Sequence, residues 1–107
     1  MKDLSIDLNA RQHLWVIVGL QEGRAADIRI FSRLLEKLVL TETEKELIGL
    51  RVDEAGNMFW KPNPEGIPPV ELQLEDGDAA KLKSVLENWP RFTARDHEWL
   101  QKVMAQL

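Results

Sequence analysis

Leu4, Ile6 and Leu8 alternate with polar residues at the start of the chain, the period of a short strand or extended arm with one buried side. Asn9 then offers an N-cap, and residues 10–20 read as a helix by length and by a charged first half. The run Leu14-Trp15-Val16-Ile17-Val18 is apolar all round and β-branched, so a buried strand is the competing reading there. After a turn through Gly23, residues 25–40 carry Ile28, Phe31, Leu34, Leu35 and Leu38 at three- and four-residue spacing, which predicts an amphipathic helix packed by that stripe.

Thr41-Glu42-Thr43-Glu44 has the form of a capping box, with a hydroxyl first and a carboxylate three residues on, so a short helix should begin there and end near Ile48, before Gly49. Residues 50–53 and 58–61 read as the two strands of a hairpin turning through Glu54-Ala55-Gly56-Asn57. Pro62, Pro64, Pro68 and Pro69 break the next stretch into a rigid connection, and Val70-Glu71-Leu72-Gln73-Leu74 alternates as a third strand. Two more helices follow. Asp76 and Asp78 suit the start of the first, whose stripe is Leu82, Val85, Leu86 and Trp89 and whose end is Pro90. Thr93 and Asp96 cap the second, with Leu100, Val103, Met104 and Leu107 on its buried face. The fold class expected from this order is α+β: a single small domain over residues 1–107, with about five helices and a small antiparallel sheet of three strands, the hairpin plus one.

Composition narrows the chemistry. The 107 residues include no cysteine, which excludes a disulfide framework, a thiol nucleophile and thiolate metal ligation, and is in keeping with a reducing, cytoplasmic location. The N-terminal residues lack an apolar segment of signal-peptide length, and no apolar run is long enough to span a bilayer, so no membrane association is expected. The net charge is −4, and Glu65, Glu71, Glu75, Asp76 and Asp78 form an acidic stretch with no intervening base, which would repel nucleic acid and anionic lipid.

Recognisable catalytic patterns are missing. His13 and His97 are far apart and lack metal-ligand spacing, and each reads as a surface or boundary residue. None of Ser5, Ser32 and Ser84 lies in a nucleophile motif. Glu75-Asp76-Gly77-Asp78 lacks the order of a calcium loop and reads as helix capping. No catalytic residue, metal ligand or cofactor is therefore assigned. Arg29, Arg33 and Lys37 recur every four residues opposite the apolar stripe of the second helix, a basic ridge that could hold phosphate or an acidic partner. The plainer reading pairs Arg33 with Glu36, and Lys37 with Asp27 or Glu36.

The order of helices and hairpin invites comparison with winged-helix domains, yet the would-be reading helix, Glu42-Thr43-Glu44-Lys45-Glu46, and the hairpin tip, Asp53-Glu54, are acidic. A helix stopped by Thr41 to Glu46, a lone Trp60 strand, the run from Val70 to Asp76 leading into a helix, and a closing Thr93 to Met104 helix with Asp96 and Trp99 resemble the layout of small uncharacterised proteins of phage and prophage genomes. That resemblance implies an accessory or assembly role without catalytic residues.

The sequence therefore predicts a non-enzymatic protein that binds other protein or copies of itself, a homodimer at least. Trp60 should anchor the core, while Phe59 and Ile67 form the rim of the partner-binding surface. The alternatives are a nucleic-acid-associated protein using Arg29, Arg33 and Lys37, though without sequence-specific recognition, and a hydrolase with a hidden carboxylate or metal site.

Overall fold

Asp7 is the residue that starts the first helix in the computed structural model, which describes residues 1–61 and 67–107. Its backbone is extended and its side chain accepts from the Ala10 amide at 2.8 Å, so the cap falls two residues before Asn9. The Pro62, Asn63 and Pro64 connection predicted after the hairpin lies outside the described residues.

The elements in chain order are β1 (Lys2–Ile6), α1 (Leu8–Gly19), α2 (Ala25–Leu38), α3 (Glu42–Leu47), β2 (Arg51–Val52), β3 (Met58–Phe59), β4 (Val70–Leu74), α4 (Asp76–Asn88), a 3-10 turn (Ala94–Asp96) and α5 (His97–Met104). The α+β class and five helices are as the patterns predicted, but the single three-stranded sheet is not. Two separate two-stranded antiparallel sheets form instead, β1 with β4 and β2 with β3. Leu4 faces Leu72 and Ile6 faces Val70 across the first sheet, so the N-terminal segment is a true strand and takes the neighbour that the hairpin was expected to provide. The physical reason is burial: Leu4, Ile6 and Leu74 all point into the main core, whereas β2 is exposed along its length.

Both outer edges of the β1–β4 sheet carry a side chain in place of a third strand. The Gln106 carboxamide accepts from the Ser5 amide at 2.6 Å and donates to the Ser5 carbonyl at 2.8 Å. On the other side the Lys37 ammonium donates to the Gln73 carbonyl. Side chains that occupy edge groups in this way limit their use by other strands.

The main core gathers Leu4, Leu14, Phe31, Leu34, Leu82 and Val103 with their neighbours from both ends of the chain. A smaller cluster of Leu8, Leu40 and Ile48 lies beneath the hairpin, with Leu50, Trp60 and Ile67 packed on it. The α2 stripe is shorter than the spacing implied. Phe31, Leu34 and Leu38 are buried, but Ile28, in the first turn, is 45% exposed, and the helix ends at Leu38 rather than at 40.

Charged groups tie the elements together. Arg11 is buried in α1, and its guanidinium donates to the Leu38 carbonyl at 3.2 Å, to the Val39 carbonyl at 2.8 Å and to both Glu44 oxygens at 2.8 and 3.0 Å. It thus closes the end of α2 against the start of α3. Glu44 also accepts from the Thr41 amide at 2.9 Å while Thr41 Oγ1 accepts from the Glu44 amide at 3.2 Å, the predicted capping box. The second predicted box, Thr93 with Asp96, is present too and opens the 3-10 turn that leads into α5. Gly49 and Gly56 take φ of 63° and 86°, the left-handed region that glycine enters without a Cβ clash, at the end of α3 and in the hairpin turn. No helix among the described residues is long and apolar enough to cross a membrane.

Candidate functional site

The hairpin leans over the outer flank of α1. Met58 and Trp60 alternate with Phe59 along the strand, so they turn toward the helix while Phe59 turns away. Trp60 Nε1 donates to Asn9 Oδ1 at 2.8 Å, and Gln12 Nε2 reaches Met58 Sδ at 3.6 Å. Asp53 holds the turn by accepting from the Ala55 and Asn57 amides at 2.9 and 2.8 Å. Those hydrogen bonds, that from Asn57 foremost, hold its carboxyl below the usual carboxylate range.

Three hollows follow one another along this seam, and Met58 lines all three. The first, about 450 Å³, contains Asn9, His13, Phe59, Trp60, Asp96 and Trp99. The second, about 420 Å³, runs past Trp15, Val16, Leu20 and Asn57 and shares Trp60 with the first. The third, about 130 Å³, shares Trp15 with the second and is bounded by Gln12, Val39, Leu40, Leu50 and Val52. Together they make a trough floored by α1 and walled by the hairpin. Val52 is 58% exposed and Phe59 49% exposed on its rim.

His13 sits at one end in an aromatic setting. Its ring stacks on Trp99 at 4.8 Å with the planes 5° apart, and Trp60 meets it edge-on at 4.7 Å. Burial lowers the His13 pKa below 6.5, outweighing the pull of Asp96 and Asp7 toward the charged form. Neutral imidazole is therefore the resting form near pH 7. Asp96 is the nearest carboxylate, at 4.0 Å from Nε2, beyond hydrogen-bonding distance. Its oxygens are already engaged, accepting from Trp99 Nε1 at 3.1 Å and from the Thr93 amide at 2.8 Å. Burial opposes ionisation of Asp96, but these hydrogen bonds, with help from His13, bring its pKa below the ordinary value. A carboxylate so committed holds α5 in place rather than orienting His13 as a base. Among the described residues no three of His, Cys, Asp and Glu gather to hold a metal ion.

The sequence-predicted site residues are dispersed. Phe59 lies on the trough rim, whereas Ile67 packs with Trp60 on the smaller core cluster and borders a different hollow, between β1 and α5. The two do not form one rim. The basic ridge is partly consumed by the fold. Arg33 grips the buried Asp78 through two bonds of 3.1 and 2.8 Å rather than pairing with Glu36, and this contact holds the Asp78 carboxyl below the usual range. Asp78 therefore joins α4 to α2 and is not simply a capping acid. Lys37 is held by Gln73, and Asp27, its expected partner, pairs with Lys81 at 2.9 Å. Arg29 is exposed and makes no ion pair among the described residues.

Reading by sequence missed His13, Gln12 and the part played by Trp99. The available signal was the register of α1: Asn9, Gln12, His13 and Val16 share three- and four-residue spacing, a polar-to-apolar flank distinct from the Leu14 and Ile17 side. No protein-family model, curated protein or solved structure matches the chain.

Proposed function

We propose that this chain is a non-enzymatic module that binds protein through the trough between α1 and the hairpin, in an accessory or assembly role. The observation that carries the reading is the run of three adjoining hollows from His13 to Val52, mixed polar and aromatic at the His13 end and largely apolar beyond it, with Phe59 and Val52 left exposed on its rim. Seams of this kind accept an extended or helical segment by its apolar residues, with the surrounding polar groups fixing register. Trp15, Met58 and Trp60 are the residues a partner would meet along its length.

The partner is another protein or a second copy of this chain. Nucleic acid is the less favoured reading, because the cations it would use at Arg33 and Lys37 are engaged by Asp78 and Gln73, and the molecule is acidic. A hydrolase is disfavoured by the commitments of Asp96 described above.

Association is tested by sedimentation over micromolar to near-millimolar concentration, and by crosslinking in extract of the source cell, for wild type and for Phe59→Ala and Val52→Asp variants shown to keep their thermal midpoints. Assembly, with itself or with a defined protein, that weakens in the rim variants supports the proposal. Assembly indifferent to both changes, or a strict monomer with no rim-dependent crosslink, refutes it.

A further inference from the structure

The smallest of the three hollows contains a polar group that the fold leaves incompletely used. Gln12 is only 2% exposed, yet its amide nitrogen has for partner a thioether sulfur at 3.6 Å, a weak acceptor, and its carbonyl oxygen accepts no hydrogen bond from any described residue. No fully enclosed side-chain nitrogen or oxygen among the described residues lacks a partner. The Gln12 oxygen is therefore not sealed, and Gln12 is one of the residues that line this hollow. Around it stand Trp15, Val39, Leu40, Leu50, Val52 and Met58, with Lys45, whose ammonium is engaged by Glu42 at 3.2 Å, as the one charged neighbour; in so largely apolar a wall an unmatched carboxamide is costly.

We propose that this hollow is an anchor pocket for a tyrosine side chain of the partner protein, the ring held by the apolar wall and the phenol hydrogen-bonded to the Gln12 carboxamide. Size and chemistry both select it. A volume of about 130 Å³ is close to that of apolar protein cavities of about 150 Å³ that take up benzene, so one six-membered ring is accommodated. A phenol hydroxyl both donates and accepts, matching a carboxamide that offers a free acceptor oxygen and an N–H held only by sulfur. An aliphatic or phenylalanine side chain would fill the space but leave Gln12 unmatched, and the lining cation, Lys45, already has Glu42 for a partner. This chain contains no tyrosine, so the inference places the ring on a different protein and not on a second copy. It rests on the protein-binding reading and assigns the chemistry of the partner's anchor.

The test uses p-cresol, toluene, N-acetyl-tyrosinamide and N-acetyl-phenylalaninamide as probes, titrated into the intact protein and followed by NMR shifts of the Met58 methyl and Trp15 indole signals. The expected result is that p-cresol binds about fivefold or more tighter than toluene, the factor a net neutral hydrogen bond supplies, with the same order for the two amides. In Gln12→Met, whose thermal midpoint is recorded in parallel, the preference should vanish while toluene still binds. Equal affinity for p-cresol and toluene in wild type, p-cresol binding that persists in preference after Gln12→Met, or exclusion of N-acetyl-tyrosinamide overturns the proposal. A failure here that leaves Phe59-dependent association intact removes the tyrosine pocket and spares the binding trough, so the two readings fail separately. Should Gln12→Met not fold, Gln12→Leu replaces it: it removes both the acceptor oxygen and the donor amide from this buried position, and the expected outcome is again loss of the preference for p-cresol while toluene still binds.

Discussion

Arg11 is the residue whose removal should be felt most, because one guanidinium closes two helix ends at once. In Arg11→Met the apolar stem is kept and the charge lost, so the Leu38 and Val39 carbonyls and both Glu44 oxygens lose their donor. Removing one partner from a buried pair costs about 3–5 kcal/mol. Glu44 retains 19% side-chain exposure and its Thr41 amide bond, so water recovers part of its solvation, and the expected loss lies near the lower end, about 3 kcal/mol. For a domain of this size that corresponds to a fall in thermal midpoint of about 12–24 °C. Urea unfolding at pH 7, followed by tryptophan fluorescence and far-ultraviolet circular dichroism, measures it. The pH dependence gives an independent check. Burial by itself would raise the Glu44 pKa, but Arg11 and the Thr41 bonds bring it below the ordinary 4.5. A carboxyl depressed in the folded state contributes stability that is fully present above its unfolded pKa and is lost as pH falls through the folded value. The gap between wild type and Arg11→Met should therefore narrow as pH drops below 4.5. A loss under about 1 kcal/mol at pH 7, the range of exposed ion pairs, would show that the clasp is solvated and refute the reasoning.

Trp60→Ala should destabilise the fold by about 3 kcal/mol, the low end for a large aromatic since Trp60 is only half-buried, whereas Phe59→Ala should leave the thermal midpoint nearly unchanged; calorimetry on both variants checks the contrast. His13 should titrate below 6.5 in a proton NMR series, and because its folded pKa is lowered, the unfolded chain takes up the proton first and stability falls as pH descends from 6.5 through the folded value. A normal or raised His13 pKa would count against the stacked, desolvated placement. Replacing Arg33 by Ala should lower stability by freeing Asp78, while binding to duplex DNA in ~0.15 M salt stays weak in both proteins; sub-micromolar binding lost with Arg33 would reverse the assignment of that residue to the fold.

What was legible in the sequence was local. Thr41 with Glu44 and Thr93 with Asp96 announce helix starts because donor and acceptor lie three residues apart in the same turn. The Phe31, Leu34 and Leu38 stripe is legible for the same reason. The sheet was not, because alternation in Leu4 and Ile6 and in Leu72 and Leu74 says that each segment has a buried face without naming the strand beside it. Arg11 looked like one more charge in the polar first half of α1, and only the fold brings the end of α2 and Glu44 around it. His13 and Gln12 were obscured likewise: their surroundings come from Trp60, Met58 and Trp99, residues from distant parts of the chain. The ridge failed in the opposite sense, since helical spacing placed Arg33 and Lys37 on one face but could not reveal that β4 and α4 would reach it.

The pairing of β1 with β4 has a kinetic consequence. Helices and the hairpin close from neighbouring residues, but Leu4 can find Leu72 only after everything between them has been brought to scale, and Ser5 meets Gln106 across a separation of 101 residues. Closing such long loops loses chain entropy before the contacts repay it, so formation of this sheet should govern the slow step of folding. Until then Leu4 and Ile6 stand uncovered on an unpaired strand whose amide and carbonyl groups are open to any other chain. Refolding yield should therefore fall with protein concentration, and a fragment ending before Val70, which keeps α1, α2, α3 and the hairpin but lacks β4, α4 and α5, should aggregate.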